Sequence, residues 1–386
     1  MNECWRRFAR WRRLILGLCV LMLPISAFAQ ARVVAWGLGL DGQTSVSAET
    51  DAVAVGAGHL HSLVVRSDGT VSAMGANGFG QIDVPIGLAG VTAVAGGLFH
   101  SLALKSDGTV VAWGGNDDQQ AQVPGDLAGV AAIAAGAQHS LALKTDGTVV
   151  VWGNNTSGQA DVPADLAGVI AIAAGRFHSL ALKSDGTVVA WGDNSDGELD
   201  IPAGLDGVVA LAAGNRLSMA LRSDGTVVVW GDFDNPRPVP AGLTDVVAIA
   251  AGIQHCLALR ADGTLVAWGF DSDGQVSIPA GLSDITAIAA GGFHSLALQR
   301  ARAPATALRA LRDDLDGFAV VTGNALRRKL NAALAALAAG TPKRACQALQ
   351  DFGHMVGAQR GRVVTTAQAD YLLAQTADIR ALIGCR

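Results

Sequence analysis

The chain has 386 residues, half of them apolar, with few aromatics, 48 glycines and a net charge of −5. That length can bury a large core, and Gly-rich turns between Val, Ala and Leu runs point to many short strands and away from disorder. The charge is divided, at +4 over residues 1–29, −15 over 30–300 and +6 over 301–386, and an acidic middle segment argues against nucleic-acid binding because it repels phosphate backbones.

At the amino terminus, Arg6, Arg7, Arg10, Arg12 and Arg13 precede a short apolar run from Leu14 to Leu23 that ends at Pro24. Ala27-Phe28-Ala29 then supplies small residues at cleavage spacing before Gln30. The pattern predicts a secretory signal peptide over residues 1–29, too short for a membrane span. A secreted or periplasmic location follows, and export permits disulfides. Cys346 and Cys385 fall in one small domain and are expected to pair, whereas Cys256 reads as a small buried residue.

Residues 100–114, His-Ser-Leu-Ala-Leu-Lys-Ser-Asp-Gly-Thr-Val-Val-Ala-Trp-Gly, are the repeating unit. Two alternating runs flank Asp107-Gly108, a strong hairpin signal because Gly accepts φ > 0 and Asp tolerates it. The unit recurs at 61–75, 139–153, 178–192, 217–231 and 255–269. Its histidine position holds His61, His100, His139, His178, Leu217, His255 and His294, in steps of 38 or 39 residues. Its Trp-Gly position holds Trp36, Met74, Trp113, Trp152, Trp191, Trp230 and Trp268. A fixed period of that length with strand signatures indicates propeller blades or a solenoid.

The two ends of the repeat region choose between them. Val33 to Gly37 lacks a preceding His-Ser strand, and the strand His294 to Leu298 lacks a following Asp-Gly-Thr hairpin. Pairing the two fragments closes a mainly β, seven-bladed propeller over residues 30–300 with no open sheet ends. Within a unit, Gly90–Gly97, Ser101–Lys105 and Thr109–Gly114 read as strands, with a weaker fourth element ending at Val123-Pro124. The Asp-Gly turns then lie on one rim and hardly vary. The connections before His and the loops after Trp-Gly lie on the other and change in every unit, which is the layout of a binding scaffold.

From Pro304 the apolar period changes to about 3.6, as in Leu326-Leu330-Leu334-Leu337. Helices are predicted near 305–315, 323–339, 342–358 and 366–383, a small bundle over residues 301–386 stapled by Cys346 and Cys385. Thr341-Pro342 reads as N-cap and first helical residue, and Thr365 with Gln368 as a capping box.

The unit resembles the repeats of the regulator of chromosome condensation family, which form seven-bladed propellers, and the resemblance covers residues 31–300. The wording Val-Val-Ala-Trp-Gly, Gly-Gln, Val-Pro and Gly-Val-x-Ala-Ile-Ala-Ala-Gly is similar to the secreted, propeller-type β-lactamase inhibitory proteins. That resemblance implies protein binding through the variable rim, with aromatics just before His and before Gly-Gln. The matching positions are Phe99, Phe177 and Phe293, and Phe79, while Leu60, Gln138 and Gln254 depart from the pattern. Arg176 and Arg216, next to the histidine position, add charged contacts. The tail is similar to the FIMAH-type helical modules of exported bacterial proteins.

Chemistry-bearing residues have structural readings. Histidines spaced one per blade are separated around a ring, whereas a metal needs converging ligands, so they are expected to bond a neighbouring blade's backbone. The tryptophans are expected in the core, each indole needing an acceptor. The repeated Asp68, Asp107, Asp146, Asp185, Asp224 and Asp262 read as turn residues. The loops at Asp193–Glu198 and Asp271–Gly274 lack calcium-loop spacing. No nucleophile elbow, phosphate loop or Cys-x-x-Cys pair occurs. The expectation is a monomeric, non-catalytic propeller without metal or cofactor that binds a protein partner. β-Lactamase inhibition and a carbohydrate-binding or enzymatic propeller are the alternatives.

Overall fold

A computed structural model describes residues 31–46, 51–231, 238–300, 304–318 and 323–385. The segment read as a signal peptide lies outside the described residues. The chain divides into two compact units after Arg300.

The first unit contains seven three-stranded antiparallel sheets. Blade 2 shows the pattern: an inner strand Val91–Gly96, a middle strand His100–Lys105 and an outer strand Val110–Gly114. Blade 1 runs from Ala52 to Gly75, blade 3 from Val130 to Gly153, blade 4 from Val169 to Gly192, blade 5 from Val208 to Gly231 and blade 6 from Val246 to Gly269. Inner strands neighbour one another in a closed cycle, blade 7 lying beside blade 1.

The hairpin turn in each blade has a local cause. Gly108 adopts φ +79, which costs a residue without Cβ almost nothing. The Asp107 carboxylate accepts from the Thr109 amide at 3.0 Å and hydroxyl at 2.6 Å, and Lys105 Nζ stands 2.9 Å away. A side chain that bonds its own backbone two residues on sets the turn, so Ser/Thr/Ala-Asp-Gly-Thr repeats with little change.

The ring closes as the end fragments require. Ala31–Gly37 pairs antiparallel with His294–Arg300, from Ala31 opposite Arg300 to Gly37 opposite His294. It thereby becomes the outer strand of blade 7, whose inner strand is Ile285–Ala290.

Two details differ from the sequence expectation. Among the described residues no fourth strand forms: the segment ending at Val123-Pro124 is a chain of tight turns, with Gln119 N bonding Asn116 O, Gln122 N bonding Gln119 O and Leu127 N bonding Pro124 O. Proline offers no ladder donor, and amides used in local turns are unavailable for pairing. Each inner strand also carries a register shift, as between Val91 and Ala93, which bends it.

The core lies between blades. Leu102 and Leu104 of blade 2 pack with Val130, Ala142 and Trp152 of blade 3, and similar clusters occupy the other junctions. The middle strand is buried from His100 to Leu104 because strands cover its edges and blades its faces. A continuous apolar run is what such a position requires.

The second unit has helices α1 Pro304–Gly317, α2 Gly323–Ala338, α3 Pro342–Gln359 and α4 Thr366–Ile383. Leu311, Leu326, Leu330, Leu349, Phe352 and Leu372 form its centre. Cys346 and Cys385 are bonded, with Cα atoms 5.6 Å apart. Thr365 and Gln368 form the reciprocal capping box, at 3.1 and 3.2 Å. Thr341 does not cap α3 with its side chain. Its hydroxyl donates back to the Ala336 carbonyl at 2.9 Å, which also accepts from the Thr341 amide at 2.8 Å, so Thr341 fastens the end of α2 instead.

Candidate functional site: a variable rim above a buried belt

The histidines and tryptophans form a belt that carries the rim. His100 Nε2 lies 3.0 Å from Ser140 Oγ of the next blade, and the same contact joins His61 to Ser101, His139 to Ser179, His178 to Ser218 and His255 to Ser295. His294 Nε2 reaches Ser62 Oγ at 2.8 Å between blades 7 and 1, so six of the seven junctions carry the contact, and Leu217 and Cys256 stand in its place between blades 5 and 6. The serines donate onward to a backbone carbonyl, as Ser101 does to Gln81 at 2.8 Å. The same carbonyl accepts from Trp113 Nε1 at 2.9 Å. Trp36 Nε1, on the strand that closes blade 7, donates likewise to the Gln275 carbonyl across the junction of blades 6 and 7, at 2.9 Å.

These contacts assign the protons. Each serine hydroxyl gives its hydrogen to a carbonyl, so the histidine must donate from Nε2, and Nδ1 is left bare. Burial pushes His61, His178 and His255 down to about 4 and His100, His139 and His294 to about 3. The rings are therefore neutral at physiological pH. They were expected to bond neighbouring backbone; they bond a neighbouring hydroxyl, which relays to backbone.

His–Ser pairs resemble nucleophile–base dyads in composition only. Both members have no exposed surface, and the hydroxyl proton points to a carbonyl rather than to the base, the reverse of nucleophile activation. Among the described residues no group of three or more His, Cys, Asp or Glu side chains could hold a metal ion. Cys256 is buried, and burial pushes its thiol up to about 12.

Above the belt, backbone bonds tie the loops before the histidine position to one another from blade 7 through blades 1 to 5, as in His59 N to Gly97 O, Leu98 N to Ala137 O and Arg176 N to Gly214 O, each at 3.0 Å. They frame the mouth of an axial channel of about 600 Å³ lined by Gly, Ala, Val and Ile with Leu98 and Phe99, the polar side chains among its described lining being His59, Arg176 and Asn215.

The six predicted rim residues lie on this face in separate groups. Phe79, nearly half exposed, stacks on half-buried Phe99 with ring centroids 4.2 Å apart. Arg176 places its guanidinium carbon 4.9 Å from the Phe177 ring centre, a cation–π geometry, and reaches Asn215 Oδ1 at 3.4 Å. Arg216 pairs with Asp196 at 3.4 Å. Phe293 tilts against His59 at 5.4 Å. Leu40, 88 % exposed, and Phe270, 37 % exposed, also stand on this rim. Sequence reasoning missed both, although they follow Trp36-Gly37 and Trp268-Gly269, the position that marks a variable loop.

A closed ring of seven three-stranded blades, with His–Ser–carbonyl contacts at six of its junctions, is a seven-bladed β-propeller. Residues 52–81, 91–120, 130–159, 169–198 and 246–275 match the family model of the regulator of chromosome condensation (RCC1) repeat, so the chain carries RCC1 repeats in five positions. Among solved structures, it is similar to Prp20p from Saccharomyces cerevisiae, with a TM-score of 0.63 and 20% identity over 75% of this chain and 96% of that one. Human WBSCR16 gives 0.58 and 20% over 70% and 99%. The CRINKLY ectodomain of the Arabidopsis thaliana receptor kinase ACR4 gives 0.51 and 22% over 62% and 89%. These likenesses establish the fold. No curated protein matches the chain in sequence.

Proposed function

We propose that this chain is an exported, monomeric, non-catalytic propeller that binds a protein partner through its variable rim. The observation that carries the reading is the contrast between the rims. One is a repeated set of Asp-Gly turns braced by Lys–Asp pairs such as Lys105–Asp107 and Lys144–Asp146. The other differs in every blade and displays apolar rings and guanidinium groups on a braced backbone, which is what a specific interface needs. Yeast Prp20p, of like fold, is described as binding Gsp1p and histones. Export rests on the basic, apolar and small-residue sequence before Gln30, and among the described residues no helix is long and apolar enough to cross a membrane.

The test is capture from periplasm and medium by the full chain, compared with a variant carrying Ser at Phe79, Phe99, Arg176, Phe177, Arg216 and Phe293. A partner held by the native chain and lost by a folded variant supports the rim. Equal capture by both sinks it.

A further inference from the structure

Resting on that rim reading, we propose that only one arc of the rim, on blades 6, 7, 1 and 2, is the docking surface, and that it takes a protein segment with an apolar centre flanked by Lys or Arg.

The blade order provides the first argument. Phe270 follows the outer strand of blade 6, Leu40 that of blade 7 and Phe79 that of blade 1. Among the described residues these are the large apolar side chains exposed on this rim, and the three blades are consecutive across the ring closure. Phe99 of blade 2 extends the patch through its stack with Phe79. Large apolar side chains left exposed on adjoining blades favour an interaction site there.

Charge supplies the second. Arg66, Lys105, Lys144, Lys183, Arg222, Arg260 and Arg300 all sit at the ends of middle strands, on the Asp-Gly rim. On the variable rim the cations among the described residues are Arg176 and Arg216, on blades 4 and 5. The arc has none, while Asp41, Asp83 and Asp271 stand on its loops. Asp83 and Asp271 accept hydrogen bonds within their own loops, from Asn77 and from Val276 and Ser277, which leaves their charge without a described cation on the arc, and apolar side chains among such carboxylates complement a cationic, apolar partner.

On the far arc, Phe177 lies under Arg176 and Arg216 engages Asp196. Those side chains are occupied within the propeller, so a partner gains less from them.

The experiment pans a phage-displayed random peptide library on the full chain and measures the enriched peptides against two folded variants, Leu40→Ser/Phe79→Ser/Phe270→Ser and Arg176→Ser/Arg216→Ser. The expected peptides carry aromatic or aliphatic residues beside Lys or Arg, weaken as salt is raised, lose at least about tenfold in affinity to the first variant and keep it with the second. Acidic peptides, or peptides lost only with the second variant, overturn the arc while leaving rim binding standing. Peptides indifferent to both variants, or no enrichment, overturn both. Self-association of the chain abolished by the first variant would make a second copy the occupant and also overturn the proposal.

Discussion

Leu217 and Cys256 share an apolar cluster at the junction of blades 5 and 6, at the positions that hold histidine and serine at the other junctions. Both partners of one polar contact have been replaced together. Removing both partners can be nearly neutral, whereas removing one leaves a buried polar group unpaired. Leu217→His or Cys256→Ser alone should each cost about 1–3 kcal/mol, and the double variant should recover at least about 1 kcal/mol of the sum. Urea unfolding of the four proteins measures the coupling, and strictly additive costs would refute the paired arrangement.

The belt makes the propeller acid-labile above the range of ordinary carboxylates. The histidines titrate near 3 to 4 when folded and near 6.5 when unfolded. The unfolded chain binds more protons below that value, so stability is complete above about pH 6.5 and falls as pH drops toward the folded values. Each histidine forfeits about 1.5 kcal/mol between pH 6.5 and 5. Thermal melts from pH 7.5 to 4.5 should show a steep decline below pH 6.5. A melting temperature that holds level to pH 4.5 would contradict buried neutral imidazoles.

Gly97 lies against the belt. A Cβ there would overlap the His100 ring and sit 2.6 Å from the Gly136 carbonyl oxygen. Gly97→Ala should therefore destabilise by about 2–3 kcal/mol through overpacking. Gly125→Ala, where nothing lies within 4 Å, is the control and should change little.

Gln119 occupies the left-handed region at φ 65, where five other blades place Gly42, Gly80, Gly158, Gly197 and Gly274. A residue with a Cβ pays about 1 kcal/mol for that conformation. Gln119→Gly should raise stability by about that amount, read as an upward shift of the urea midpoint; an unchanged or lower midpoint would show that the side chain compensates.

The Cys346–Cys385 bond spans 39 residues. Closing a loop of that length removes about 4 kcal/mol of unfolded-state entropy in the simple chain model. Reduction, or Cys346→Ala with Cys385→Ala, should lower the unfolding transition of the helical unit and leave that of the propeller in place. A single transition moving as one would show the two units unfold together.

Period, hairpins and closure were legible in the sequence because they are local or arithmetic. Asp107-Gly108 sets its own turn, and the half-units at Val33–Gly37 and His294–Leu298 can complete each other in one way. The missing fourth strand was not legible, since Val-Pro segments look alike whether their amides pair across a sheet or close turns. Nor was the serine partner of each histidine. Ser140 lies beside His139 in sequence and under His100 in space, a relation created only when one blade is laid against the next. The rim divides the same way. Its variability can be read from the loops after Trp-Gly, but the ring order that sets Phe270, Leu40 and Phe79 on consecutive blades exists only once the first strand has closed onto the last repeat.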